Sequence, residues 1–305
     1  MAVVATGFFD GVHLGHRLVI DTLLRAARER GEQSVIVTFW PHPRTVLQKD
    51  ARELRLLSSL HEKREMLSEL GVDRVEVVPF SREFRSMTAE QYLRDFVMDR
   101  LGGTAVVLGY DNRMGSDGLR HDAIVPLAQS LGLDVIECGA VSGGGTDFQI
   151  PVPQTRAISS TQIRAALQRG EVEAAEAMLG YRYGLHGVVV AGNRLGRTLG
   201  YPTANMQLYE PLKLVPANGV YLVEVETLGR QLFGMTNIGV RQTVSGAGVR
   251  TIETHIFDFD ELIYGLDIKV RFVARIREER RFGSLDGLKS QLAADEALCR
   301  TLLAP

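Results

Sequence analysis

The chain opens on a short apolar run, Met1–Thr6, that passes directly into Gly7-Phe8-Phe9-Asp10-Gly11-Val12-His13-Leu14-Gly15-His16. A strand buried on both faces is small, β-branched and nearly all apolar, as this run is, and a helix-period pattern starts after Gly15. The two histidines therefore fall on a strand-to-helix turn, which commits the start of the chain to an α/β unit. Gly7, Gly11 and Gly15 allow the backbone to turn sharply or let a phosphate approach. The helix beginning near His16 presents unpaired N–H groups at the positive end of its dipole. Two imidazoles beside such a site can donate hydrogen bonds to phosphoryl oxygens and offset the charge of an in-line displacement, with no covalent intermediate. Metal ligation by His13 and His16 is the competing reading. No third ligand with zinc-like spacing lies nearby, and Cys138 and Cys299 are far apart in sequence.

From Met1 to about Leu179 strand and helix patterns alternate. Ala2–Phe8, Ser34–Phe39, Arg74–Val78, Thr104–Leu108 and Asp134–Cys138 read as strands of a covered parallel sheet. His16–Arg30 carries Leu18, Ile20, Leu23, Leu24 and Ala27 on one stripe, and Ser59 with Glu62 and Thr88 with Gln91 read as capping boxes. The alternation predicts a doubly wound sheet, whose ligands bind beyond the carboxyl ends of its strands. Pro41-His42-Pro43 and Gly109-Tyr110-Asp111-Asn112-Arg113-Met114-Gly115 follow strands at that same edge. The last element, Ile158-Ser159-Ser160-Thr161-Gln162-Ile163-Arg164, opens a helix whose hydroxyls can cap N–H groups or bind phosphate, with Arg164 a turn further on.

Past Gly180 the pattern changes to short β-rich runs: Gly187–Ala191, Val220–Thr227, Gln231–Ile238, Thr251–Phe257 and Ile268–Ile276. These predict a small closed barrel, with a terminal helix over Leu285–Leu303 packed through Leu285, Leu288, Leu292, Leu298 and Leu302. At 305 residues two cores are expected, and the boundary falls near Tyr183, giving domains 1–182 and 183–305. The second half has its own loop, Gly192-Asn193-Arg194-Leu195-Gly196-Arg197-Thr198-Leu199-Gly200-Tyr201-Pro202-Thr203-Ala204-Asn205. Glycines 192, 196 and 200 permit an irregular backbone that wraps phosphates. Thr203 and Asn205 offer two neutral oxygens on one side of an extended segment, suited to a magnesium ion that keeps waters and nucleotide phosphates. The ending Gly-Lys-Ser/Thr of a P-loop is missing. In Thr251-Ile252-Glu253-Thr254-His255-Ile256-Phe257, alternation sets Glu253 opposite the isoleucines. If Ile252 and Ile256 mark the outer, helix-packed face, Glu253 points into the barrel mouth, where a carboxylate could take a proton from an alcohol attacking phosphorus.

A formal net charge of −2 carries no polybasic signature, so neither nucleic acid nor an anionic membrane surface is expected as a partner. Two cysteines make no disulfide framework, no apolar stretch approaches a membrane span, and no signal-like segment opens the chain. A cytoplasmic protein, monomeric or weakly self-associating, is expected.

Five markers in this order, Gly7–His16, Ile158–Arg164, Gly196–Asn205, Asn218-Gly219-Val220-Tyr221 and Glu253–His255, make the chain resemble the bacterial bifunctional riboflavin kinases/FMN adenylyltransferases, also called FAD synthetases. The resemblance implies that the first domain transfers AMP from ATP to FMN and that the second phosphorylates the riboflavin 5′-hydroxyl with ATP and magnesium. It implies that His13 and His16 contact ATP phosphates, with Gly7, Phe9, Asp10 and Gly15 of the same turn binding the nucleotide, Ser160, Thr161 and Arg164 completing the triphosphate site, and Asp111 near the nucleotide. In the kinase half it implies that Gly192, Gly196, Arg197, Gly200 and Pro202 form the nucleotide loop, Thr203 and Asn205 the magnesium and phosphate contacts, and Glu253 the catalytic base. The chain departs from the family where Asp111-Asn112-Arg113-Met114-Gly115 replaces Asp-Phe-x-Phe-Gly and where Gln242 replaces a proline. A nucleotidyltransferase of another specificity and a flavin-binding regulator with one inactive site are the alternatives.

Overall fold

A computed structural model describes residues 1–41, 54–109, 113–138, 158–192, 195–242 and 248–304. The chain divides into two compact units, Met1–Ser160 and Thr161–Pro305. His42 and Asp111 lie outside the described residues.

In the first unit, β1 (Ala2–Thr6), β2 (Gln33–Trp40), β3 (Arg74–Pro79), β4 (Gly103–Leu108) and β7 (Asp134–Glu137) form a sheet in the order β3-β2-β1-β4-β7. All four pairings are parallel, as the apolar runs predict. A two-stranded ribbon of β5 (Arg113–Met114) and β6 (Leu119–Arg120) lies apart from it. Alternation along β1 feeds two cores. Val3 and Ala5 pack with Ile20, Leu23 and Ala27 of α1 (Leu14–Arg30), whereas Ala2 and Val4 pack with Tyr92, Leu93, Phe96 and Val97. Those four belong to a stretch, Tyr92–Arg100, wound as a π-helix. Ahead of it, the Ser59 and Thr88 capping boxes form as predicted, Ser59 opening α2 (Leu60–Glu69). The strand order reverses between β1 and β4, the place where an open α/β sheet leaves a crevice for ligands.

The second unit contains α3 (Ser160–Arg169, beyond its first residue), α4 (Val172–Leu179) and a closed barrel in the order β10-β11-β12-β9-β8-β13. Its strands are β8 (Gly184–Val190), β9 (Ala204–Leu208), β10 (Gly219–Thr227), β11 (Arg230–Gln242), β12 (Gly248–Ile256) and β13 (Asp267–Arg277). Every neighbouring pair is antiparallel. A sixth strand, β9, adds to the five runs read from sequence. On β10, β11, β12 and β13 one face fills the barrel interior with Tyr221, Val223, Thr236, Ile238, Thr254, Val270 and Phe272, all fully or almost fully buried.

The terminal helix α6 (Leu285–Leu303), which follows a short α5 (Leu195–Thr198), covers the outer face through Val220, Leu222, Met235 and Phe257. Its buried stripe runs through Leu292, Cys299 and Leu303 and not through Leu285, Leu298 and Leu302, which are exposed. Asp295 shifts the stripe. It is buried and accepts from Arg277 Nε at 3.0 and 2.9 Å and from Gln291 Nε2 at 2.6 Å. That ion pair fixes which side of the helix faces β13.

Candidate active sites

The first site is built on the turn after β1. His13 is the N-cap of α1, and its Nδ1 accepts from His16 N at 3.3 Å. The spacing of three brings the two imidazoles into a stack with centroids 3.6 Å apart and planes 16° from parallel. Gly15 makes this possible, because a Cβ there would lie 3.3 Å from His13 Cε1 and Nδ1 and 3.3 Å from Ile158 O. Phe9 meets His16 edge-on at 5.2 Å. Phe9 and Val12 hold positive φ angles of 50° and 35°, a backbone state that L-residues adopt at a cost and that clusters at functional turns.

His16 Nδ1 is buried with no hydrogen-bond partner among the described residues. Burial pushes the imidazole well below its ordinary pKa, and the neighbouring His13 and Lys63 push it the same way. A neutral ring with an uncommitted polar nitrogen at a helix N-terminus is prepared to meet an incoming anion.

Asp10 is buried and turned to the backbone. Its carboxylate accepts from Leu57 N at 3.0 and 3.1 Å, from Ser58 N at 3.0 Å and from Ser58 Oγ at 3.3 Å, while Gly11 N donates to Ser58 Oγ at 3.0 Å. Ser160 Oγ donates to the Asp10 carbonyl at 3.1 Å, so Ser160 stands at the same turn. Gly7 N donates to Val37 O at 3.0 Å. Thr161 is exposed and Arg164 half-buried, both on α3 within the second unit.

Sequence reading passed over Lys63, which is completely buried behind the turn. Its Nζ lies 3.8 Å from the Phe8 ring centroid and donates to Thr38 Oγ1 at 3.3 Å. Desolvation lowers its pKa from 10.5 to about 8, against a smaller opposing pull from Asp10. The folded state is penalised wherever both states are protonated, below pH 8, and the penalty disappears as pH rises from about 8 to 10.5, where the unfolded chain holds the extra proton. Lys63→Met should therefore raise unfolding free energy at pH 7 by roughly 1–3 kcal/mol. Chemical denaturation should also show that the gain shrinks toward pH 10. A less stable variant at pH 7 would contradict this electrostatic account.

The second site lies on the outer face of the barrel. Thr203 Oγ1 donates to Glu253 Oε2 at 3.5 Å, and β9 and β12 set Asn205 opposite Glu253. Gly192 has no Cβ because one would lie 2.2 Å from Asn205 Nδ2. The loop between them is more regular than predicted. After α5, Gly196 O accepts from Leu199 N at 3.1 Å and Tyr201 N at 2.8 Å, and Gly200 takes φ of 86°. Arg197 and Gly200 are exposed. His255 donates from Nδ1 to the Pro202 carbonyl at 2.9 Å, pinning the loop to β12.

Glu253 does not point into the barrel. Ile252, Thr254 and Ile256 are the buried interior set, and Thr254 is bonded to Thr236 across β11 at 2.8 Å. The alternation is as expected but the faces are the other way round: Ile252 and Ile256 fill the barrel, while the face of Glu253 and His255 is outside, where Phe257 packs under α6. Register also places Asn237 beside Glu253, on the strand opposite Asn205. Among the described residues no cluster of three or more His, Cys, Asp or Glu side chains could hold a metal. The hard oxygens of Thr203 and Asn205, next to a single carboxylate, suit a magnesium ion that takes its other ligands from water and phosphate.

Two family models match the chain, one described as FAD synthetase over residues 1–149 and one described as riboflavin kinase over residues 179–303. The bifunctional riboflavin kinase/FMN adenylyltransferase of Bacillus subtilis is 36% identical over 297 residues, covering 97% of this chain and 90% of its own length. The protein of the same name from Escherichia coli K12 is 37% identical over 302 residues, covering 98% and 91%. A crystal structure from Streptococcus pneumoniae, described as a macrolide-efflux protein, has a TM-score of 0.88 at 33% identity and covers 98% of this chain and 93% of that one. Among the described residues no helix is long and apolar enough to cross a membrane.

Proposed function

The chain belongs to the bifunctional riboflavin kinase/FMN adenylyltransferases, and from that premise we propose how its residues divide the work: adenylyl transfer in residues 1–182, phosphorylation in residues 183–305. The enzyme makes FMN from riboflavin and ATP, then FAD from FMN and a second ATP.

In the first domain an oxygen of the FMN phosphate attacks the α-phosphorus of ATP in line, and pyrophosphate leaves. His13 and His16 line the triphosphate's path at the N-terminus of α1 and donate to oxygens that gain charge as the bond to pyrophosphate breaks. Ser160, Thr161 and Arg164 add a hydroxyl pair and a lasting positive charge, Asp111 contacts the nucleotide, and Gly7, Phe9, Asp10 and Gly15 hold the turn in shape. The observation that carries this reading is the buried His16 Nδ1, unpartnered among the described residues, in a ring stacked on His13 at a helix start.

In the second domain the riboflavin 5′-hydroxyl attacks the γ-phosphorus, Glu253 accepts its proton and ADP leaves. Gly192, Gly196, Arg197, Gly200 and Pro202 shape the loop that receives the nucleotide. Thr203 and Asn205 would hold magnesium, which when bound neutralises phosphate charge. Gly192→Ala should push the Asn205 amide aside and slow riboflavin phosphorylation by about tenfold or more, since misplacement of this size at a reacting centre has large effects. FMN adenylylation by the variant should be unchanged, and a normal kinase rate would refute the role of Asn205.

The protein is proposed to work in the cytoplasm, without nucleic acid or membrane, as a monomer or weak homo-oligomer. Incubation with riboflavin, ATP and magnesium, followed by chromatography of the flavins, tests the whole reading. FMN followed by FAD is expected. FMN alone would mean an inactive first domain, and flavin binding without turnover would mean a regulator.

A further inference from the structure

The adenylyl-transfer turn has a buried cation behind it for which the reaction as described has no use. Lys63 Nζ rests on the Phe8 ring at 3.8 Å. Its other contact, Thr38 Oγ1 at 3.3 Å, itself donates to the Phe8 carbonyl at 3.1 Å. Both contacts of the ammonium therefore end on the residue that leads into Phe9, Asp10 and the histidine pair. Among the described residues the Lys63 ammonium makes one hydrogen bond and no ion pair, although it carries three donors. The nearest carboxylate, Asp10, is occupied by the backbone of Leu57 and Ser58.

A methionine would fill the same space without the desolvation penalty, so packing alone does not account for a lysine at this position. A charge kept from water acts strongly on its surroundings, because little solvent screens it. The titratable groups around it are Asp10 in the turn, whose charge favours the ammonium, and His16 of α1, which feels Lys63 together with the stacked His13. On α2 itself, Glu62 is held in its capping box with Ser59.

We propose that Lys63 is a positioning residue of the adenylyl-transfer site: its ammonium braces the Phe8–Asp10 segment from behind and supplies standing positive potential for the ATP triphosphate. The proposal rests on the reading that the histidine turn takes ATP. A polyanion arriving at the turn supplies the counter-charge that the protein withholds, so ATP binding gains from a cation that the empty site holds at a disadvantage.

The test is Lys63→Met in the full chain, with Lys63→Arg as the charge-keeping variant. In Lys63→Met the NMR titration of the His16 ring should move toward the ordinary imidazole range, and the KM for ATP in FMN adenylylation should rise by about tenfold. Riboflavin phosphorylation should stay at the wild-type rate. Lys63→Arg should restore most of the ATP affinity and leave the His16 titration where the wild-type protein has it. An unchanged His16 titration or an unchanged KM in Lys63→Met would overturn the proposal. If wild-type protein itself converted no FMN to FAD, the reading of the site would fail instead.

Discussion

Glu253→Gln is expected to lower riboflavin phosphorylation by about a hundredfold or more, the scale of a lost general base, while FMN adenylylation proceeds at the wild-type rate. The amide keeps the shape of the side chain and its contact with Thr203 Oγ1, but it cannot take the proton released as the riboflavin hydroxyl attacks. Glu253 stands between Asn205 and Asn237 in the strand register, on a face shared with the Tyr201–Thr203 loop. The substitution should therefore disturb neither the barrel interior nor its stability. Steady-state assays of the two half-reactions, each started from its own flavin, measure this. Equal loss of both would refute separate sites.

His16→Ala is expected to slow adenylyl transfer by roughly a hundredfold to a thousandfold, the usual effect of removing a preorganised donor from a site of developing charge. His13 remains the N-cap of α1 through its own backbone carbonyl, which accepts from Arg17 N at 3.0 Å, so the helix should still form. Riboflavin phosphorylation by the same variant should be unaffected. A variant that makes FAD from FMN at the normal rate would remove His16 from the mechanism.

Much of this was legible in the chain because local signals and packing agree. The β1 run, the two capping boxes and the glycine-spaced histidines each carry their structural meaning within a few residues. The misreadings occurred where tertiary packing decides. Lys63 sits among the charges of Leu-His-Glu-Lys-Arg-Glu, a pattern that reads as a solvated helix face, yet it is completely buried against Phe8 and Thr38. Asp10 falls among the residues expected to bind the nucleotide, and nothing local shows that its oxygens are spent on backbone N–H groups of Leu57 and Ser58, remote in sequence. For Glu253 period-2 alternation separates two faces without naming them. Only the closed barrel and the helix outside it show that Ile252 and Ile256 face inward. Leucine spacing alone points one stripe of α6 at the barrel, but the Arg277–Asp295 pair turns another side toward it. Strand β9 is short, and Asn205 and Gln207 weaken its β signal.

The central claim, two complete sites acting in sequence on one flavin, is tested most directly by mixing the His16→Ala and Glu253→Gln proteins with riboflavin, ATP and magnesium and separating the flavins over time. His16→Ala alone should stop at FMN, Glu253→Gln alone should leave riboflavin, and the mixture should form FAD as FMN made by one protein is used by the other. A mixture that yields no FAD would contradict the claim.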